Sequence, residues 1–457
     1  MLAITTADNK GLEISLGVEE IKFIDALKTM ADLRDNRGKR HSQAFLITTF
    51  VFAALVGRSK VSGIHRYMTN KIDWLREVTG YKDATPVSRS HLPRMLANLD
   101  WLALSCVITD CFGEQTVQMI QDEWISADGK VMRGTLKSGE KQAIIHAVSH
   151  ESRIDVAQAR QAGDKSSEIT VMREFLKETG LENGKISLDA HHCNPETMTQ
   201  VEQAGGLYLI QVKENQPKLL EHCRVLAEQP PLAESIDHDC GHGFITTRQA
   251  HLHNLQLSDI DSRWQHSGLR TLIVMNRETF NQSSQKTSNE TAYYLSNYPN
   301  DSKQYTVKTL ASAIRGHWSV ESNNWQLDVT FGEDRVQVGN GNQAQIMGKL
   351  RCFAMNLIRW SKTGTKNFQA TIEKFTDSPE ALVSMLEQVN FAQALSKMKN
   401  ILVELLLLSA RKLQGKLEAL IDYIACTIEP IRRGRSYSRT NSKSKNRIFY
   451  CNYKRAK

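Results

Sequence analysis

The chain has few cysteines, and none of them are spaced as pairs. Eight Cys are spread over 457 residues with no Cys-x-x-Cys, which provides neither a disulfide framework nor the ligand pairs of a structural zinc site. The opening MLAITTADNKGLE has no basic flank leading into an apolar core, so it does not read as a secretory signal, and the thiols read as reduced in a cytoplasmic protein. Long apolar runs are missing as well. The longest, AFLITTFVFAALVG from Ala44 to Gly57, has 14 residues and two Thr, short of the roughly 20 needed to cross a bilayer, so it reads as a buried helix. No Gly-x-Ser-x-Gly and no phosphate-cradling glycine loop occurs, which removes the support for a serine hydrolase or a nucleotide-binding kinase fold. No internal repeat is visible.

What is present is ordinary globular composition, 40% hydrophobic and 24% charged, in a chain long enough for two to four domains with ample core. The net charge of +8 is unevenly placed. Arg432 to Lys457 holds ten basic residues and no acid, leaving about −2 for the rest. Such a tail, rich also in Ser and Asn, suits the phosphates of a nucleic acid.

Hydrophobic periodicity divides the chain. Residues 1–115 read as helical, with apolar positions at helical spacing from Val18 to Met30 and the run at 44–57. VSRSHLPRMLANLD (87–100) could form the second helix of a helix-turn-helix offering Arg89, His91 and Arg94 to DNA, although a helical hairpin with no nucleic-acid role is the better reading. From 116 to 362 the order is three strands, helix, strand, helix, strand, then a β-rich insertion at about 222–300, then helices over 308–328 and 342–362. A weaker helical extension covers 363–430 and the basic tail 431–457. The whole reads as α/β, a mixed sheet flanked by helices behind an all-helical N-terminal domain.

Three acidic residues stand where chemistry would need them. Asp128 ends the first core strand, Asp189 ends the fourth, and Glu321 lies on a helix after the insertion. Carboxylates gathered at one point repel, and a pair of Mg²⁺ ions is the usual reason to gather them. With 50 acidic residues in the chain, spacing alone would not single out this triple.

The local sequences single it out. ISADGKVMRGT (125–135), SEITVMREFL (167–176), ISLDAHHCNPET (186–197), YLIQVKENQPKL (208–219), AYYLSNYP (292–299) and IRGHWSVESNNWQLDVTFGEDR (314–335) occur in that order, followed by LRCFAMNLIR. Together they resemble the H-repeat-associated branch of insertion-sequence transposases, and LRDNRGKRHSQAFLITTFVFAALVGRSKVSGIHRY resembles that family's associated N-terminal domain. The resemblance covers about residues 20–360 and fades after Trp360. It implies an RNase H-like catalytic domain with Asp128, Asp189 and Glu321 as the acidic triad. It also implies two Mg²⁺ (or Mn²⁺) ions per site, and cleavage at the element's ends followed by strand transfer into target DNA. The sequence departs from the family pattern at Ser322, where Asn is usual, at Asn324, where His is common, and in the looser turn GHGFITTR (241–248).

Around the triad, Lys130 and Arg133 follow the first Asp closely enough to hold a phosphate, and Lys213 and Asn215 follow the fifth strand. Arg315 and His317 precede Glu321 on what reads as one helix, with Asp328 farther along it to tune the site or pair with Arg315. Trp318 and Trp325, seven apart, read as core. Neither His191-His192-Cys193 nor His238, Cys240 and His242 has zinc spacing. The expectation is a cytoplasmic, nucleoid-associated DNA transposase with no membrane partner, dimeric when it bridges two DNA ends. The alternatives are a silent DNA-binding relic of an element, or a metal-dependent nuclease that does not transpose.

Overall fold

The computed structural model describes residues 22–30, 32, 34, 39–132, 142–161, 168–300, 303–361 and 367–389. Six helices come first: α1 (Lys22–Lys28), α2 (Gln43–Leu55), α3 (Val61–Asn70), α4 (Ile72–Thr79), α5 (Leu92–Ala97) and α6 (Trp101–Asp122). α2 is the apolar run, buried at every position, and Ser42 caps it by accepting the Phe45 N–H. Pro93 sits in the first turn of α5, where its missing N–H removes no helical bond. Asp100 caps α6 by accepting from the Ala103 N–H at 2.6 Å.

Next come β1 (Trp124–Met132), β2 (Gln142–Ser149), β3 (Asp155–Gln161), α7 (Glu168–Thr179), β4 (Lys185–Leu188), α8 (Pro195–Gln203), β5 (Leu207–Val212) and α9 (Pro217–Ala227). β1 pairs antiparallel with β2, and β2 with β3. β1 pairs parallel with β4, and β4 with β5. This is the expected RNase H-like arrangement: an antiparallel meander, then parallel strands reached through helical crossovers.

The insertion contributes β6 (Ala233–Gly241), β7 (Phe244–Asn254), β8 (Thr271–Asn281) and β9 (Lys286–Ser296). These strands are not a separate subdomain. β9 pairs antiparallel with β5, so the insertion extends the catalytic sheet to nine strands in the order β3-β2-β1-β4-β5-β9-β8-β7-β6. Five helices complete the described chain: α10 (Lys303–Gly316), α11 (Trp318–Val329), α12 (Gly341–Trp360), α13 (Phe368–Asp377) and α14 (Pro379–Gln388).

The described residues form three apolar clusters. One lies between the sheet and α7, α8 and α9, with Ile125, Ala127, Ile186, Ile210, Met172 and Leu219 in it. A second, on the other face, joins Trp124, Leu209 and Ile273 to Val307 and Leu310 of α10. The third holds α1 to α6 together with α12, α13 and α14 and reaches Met132 and Ile144 of the sheet. The expected boundaries at 115 and 362 therefore do not cut the packing. α6 runs through the first without a break, and α13 and α14, beyond the second, share the core of the N-terminal helices. None of the described helices is long and apolar enough to cross a membrane. The helical extension after 389 and the basic tail lie outside the described residues.

Candidate active site

The parallel register of β1 and β4 sets the two aspartates side by side. Ser126 pairs with Ser187, and Asp128 and Asp189 each follow that pair by two residues, which brings them close enough for the charge of Asp189 to act on Asp128. Asp128 lies within β1, which continues to Met132, so it does not end the strand as the sequence suggested. Asp189 follows β4 directly, and its carboxylate accepts the His191 N–H at 3.0 Å to open a short 3₁₀ turn. Burial, then the charges of Asp189 and Glu168, push the Asp128 carboxyl up to about 6.

The third carboxylate arrives on α11, which two serines fasten to the sheet. Ser319 Oγ meets Ser126 Oγ at 2.7 Å. At the N-terminus of α11, His317 Nδ1 and Ser187 Oγ are 3.0 Å apart, and Ser187 Oγ also meets His150 Nε2 at 3.0 Å. These small side chains let the helix approach the strands closely. Glu321, one turn on, shares a cavity of about 320 Å³ with Asp189, Lys213, Tyr294, Arg315 and His317. Asn324, the next turn, directs its Nδ2 at Asp128 Oδ2, 3.5 Å away. Burial raises the Glu321 carboxyl above its ordinary value against the pull of Lys213. Asp189 and Glu321 thus line one cavity, and Asp128 adjoins it through the charge of Asp189 and the amide of Asn324.

The flanking residues divide. Lys213 is exposed at the end of β5 and lines the cavity beside Glu321. Arg315 also lines it, with Nη1 2.6 Å from Asp237 of β6. Arg315 and Glu321 are not on one helix, because the chain turns at His317 between α10 and α11. Asn215 turns inward, donating to the Ala190 carbonyl at 2.6 Å and so bracing the turn after Asp189. Lys130 does not fit the phosphate role expected for it. Its ammonium is buried, 2.5 Å from Glu333 and 2.7 Å from Asp328, tying β1 to the end of α11 and the segment after it. Asp328 therefore pairs with Lys130 and not with Arg315. Arg133 lies outside the described residues. Trp318 and Trp325 are not core: they are 55% and 56% exposed, and Trp318 lines the cavity beside Glu321.

Two groups at the site carry no obvious motif in the sequence. His146 stands opposite Asp128 in register, and its Nδ1 is 2.5 Å from Asp155 Oδ2. The same oxygen accepts from Cys352 Sγ at 2.9 Å. These three buried residues form the described grouping of His, Cys and carboxylate atoms close enough to ligate a metal. They are joined by hydrogen bonds beneath Asp128, and neither of the His/Cys runs noted in the sequence contributes to them. Glu168, the first residue of α7, is the other. The sequence motif SEITVMREFL contained it without marking its role.

The chain matches the family described as "Transposase DDE domain" over residues 123–357, just over half its length, and "DDE_Tnp_1-associated" over residues 24–111. It is 27% identical over 397 residues to "Putative transposase YncI" of Escherichia coli O157:H7, covering 83% of this chain and 98% of that one. It is 24% identical over 373 residues to "H repeat-associated putative transposase YhhI" of Escherichia coli K12, covering 77% and 93%. A solved piggyBac transposase synaptic complex with hairpin DNA covers 80% of this chain and 77% of its own at 12% identity, with a TM-score of 0.37, too low to bear an argument.

Proposed function

Because the chain belongs to the transposases with a DDE domain, DNA-cleaving enzymes that depend on a divalent metal, we infer that Asp128, Asp189 and Glu321 are its metal-binding triad. The observation that carries this is the matched register of Asp128 and Asp189, with Glu321 across the shared cavity from Asp189. The donor set fits a hard cation. It is carboxylate oxygen, and among the described residues neither aspartate has a Lys or Arg within ion-pair distance. Two bound Mg²⁺ or Mn²⁺ ions would activate a water or a 3′-hydroxyl against a phosphodiester and stabilise the leaving oxygen.

The protein's own groups do the placing. β1 and β4 fix the aspartates, and the Ser126–Ser319 and Ser187–His317 contacts fix the height of Glu321 over them. Lys213, exposed at the cavity rim, is the cation best placed for a DNA phosphate. Arg315 would have to release Asp237 to join it. The reaction proposed is hydrolysis at the ends of an insertion element, followed by joining of the freed 3′-hydroxyl to target DNA. Two protomers would bridge the two ends, because each end needs a site.

Asp128→Asn, Asp189→Asn and Glu321→Gln each remove one ligand charge at constant volume. Each should lower Mg²⁺-dependent cleavage of end DNA by roughly 10²-fold or more, with DNA affinity near wild type and no loss of melting temperature. Near wild-type cleavage in any one variant removes that residue from the triad. Wild-type protein that binds ends without cutting them is a relic, and one that cuts without strand transfer is a nuclease.

A further inference from the structure

We infer that Glu168 is a fourth carboxylate of the metal site, closing it from the sheet face opposite α11, with the buried imidazole of His192 beside it. The inference rests on the triad reading above and extends it. Successive residues of β1 point to opposite faces, so where Asp128 turns toward α11, Gly129 turns toward α7. A Cβ built on Gly129 would lie 2.8 Å from Glu168 Oε1. The missing side chain is therefore the space that the Glu168 carboxylate occupies, directly against the backbone that carries Asp128.

A glutamate in the first turn of a helix is commonly there for the helix dipole. Glu168 does something else with its charge: it reaches across to β1. Among the described residues it has no Lys or Arg within ion-pair distance. Its ionisable neighbours are Asp128 and Asp189, which repel it, and His191 and His192.

His192 supplies the independent indication of a ligand. It is 1% exposed, and neither ring nitrogen has a hydrogen-bond partner. Its Nε2 lies 3.9 Å from Glu168 Oε1 and 4.0 Å from Asp189 Oδ1, outside hydrogen-bond range of both. A buried imidazole left unsatisfied between two carboxylates is costly. A cation with its water shell held by Asp128, Asp189 and Glu168 gives all of these groups a partner. Glu321, on the far face, is not needed for that first cation to bind.

The test is Mn²⁺ binding, by electron paramagnetic resonance, to metal-stripped full-length protein without DNA. Glu168→Gln should weaken Mn²⁺ by about tenfold or more, as Asp128→Asn should, and Glu321→Gln should weaken it less. Gly129→Ala, which leaves the glutamate in place but fills its space, should weaken Mn²⁺ as well. Melting curves establish that each variant is folded. Wild-type Mn²⁺ affinity in Glu168→Gln, with affinity lost in Asp128→Asn, overturns the role of Glu168 and leaves the triad standing. Wild-type affinity in Asp128→Asn too brings down the triad reading, and this inference with it.

Discussion

Asp128 couples the fold to pH. Its carboxyl is held up at about 6 by burial, by Asp189 and by Glu168, against an ordinary value near 3.8. For an acid raised in the folded state, the sign runs against stability at neutral pH. Below about 4, where the group is protonated in both states, it costs nothing. As pH climbs through 4 to 6, the unfolded chain ionises first and the metal-free fold loses stability. The ceiling is about 3 kcal/mol from a shift of this size, and partial exposure of Asp128 keeps the real cost lower. Asp128→Asn should therefore melt above wild type at about pH 7.5 in the presence of a chelator, and the two curves should converge near pH 4. Parallel curves from acid to neutral pH would mean that Asp128 is not under this strain. Cation binding should likewise expel a proton below about pH 6. At this scale the local motifs of the sequence pointed to the proposed triad, but the sequence misled on Lys130. A cation two residues from an aspartate shares its pleat face, yet only the path of the chain through and beyond α11 shows that Asp328 and Glu333 occupy it.

The junction of α10 and α11 is the element on which the site turns. Gly316 faces His150, and a Cβ there would lie 2.1 Å from Nδ1 and 2.5 Å from Cγ of that ring. His150 cannot swing aside easily, being buried, bonded to Ser187 and stacked on Trp124 at 6.5 Å. Gly316→Ala should therefore cost about 1–3 kcal/mol of stability as overpacking does. By shifting α11 it should also reduce cleavage by up to about 10²-fold, beyond what the stability loss explains. Gly339, whose Cβ would meet nothing within 4 Å, is the control, and its alanine variant should keep both melting and cleavage. Equal effects at the two glycines would refute a packed junction. Here the sequence was legible in kind but not in detail. Hydrophobic periodicity located the strands and helices from Glu123 to Ala204 in the right order. It could not show the turn at His317, because the ring packed against Gly316 there, His150, follows β2 and is remote in sequence. Nor could it show that Trp318 and Trp325 face outward, since seven-residue spacing states only that they share a face. The pairing of β9 with β5 is likewise a non-local contact that alternation within either strand does not encode.

Across the whole molecule, charge is distributed in a way that the fold does not explain. The chain carries +8, and ten positive charges lie in the last 26 residues. The remainder is slightly acidic, and several of its cations are spent internally: Lys130 on Glu333, Arg315 on Asp237, Arg351 on Glu333. A body so nearly neutral gains little from long-range attraction to DNA, so the sequence from Arg432 to Lys457 should supply much of the phosphate contact. Each phosphate neutralised contributes a slope of about −0.9 in log K against log salt. If about half of the ten charges engage, truncation after Ile431 should lower the magnitude of that slope by roughly four to five. Backbone contacts position a protein without reading sequence, so affinity should fall equally for element-end DNA and unrelated DNA. Cleavage of bound ends should survive, because the carboxylates lie far from the tail in sequence. The measurement is binding of full-length and truncated protein to both DNAs across a salt series. An unchanged slope would mean that the tail does not touch phosphates, and a loss confined to end DNA would mean that it reads bases.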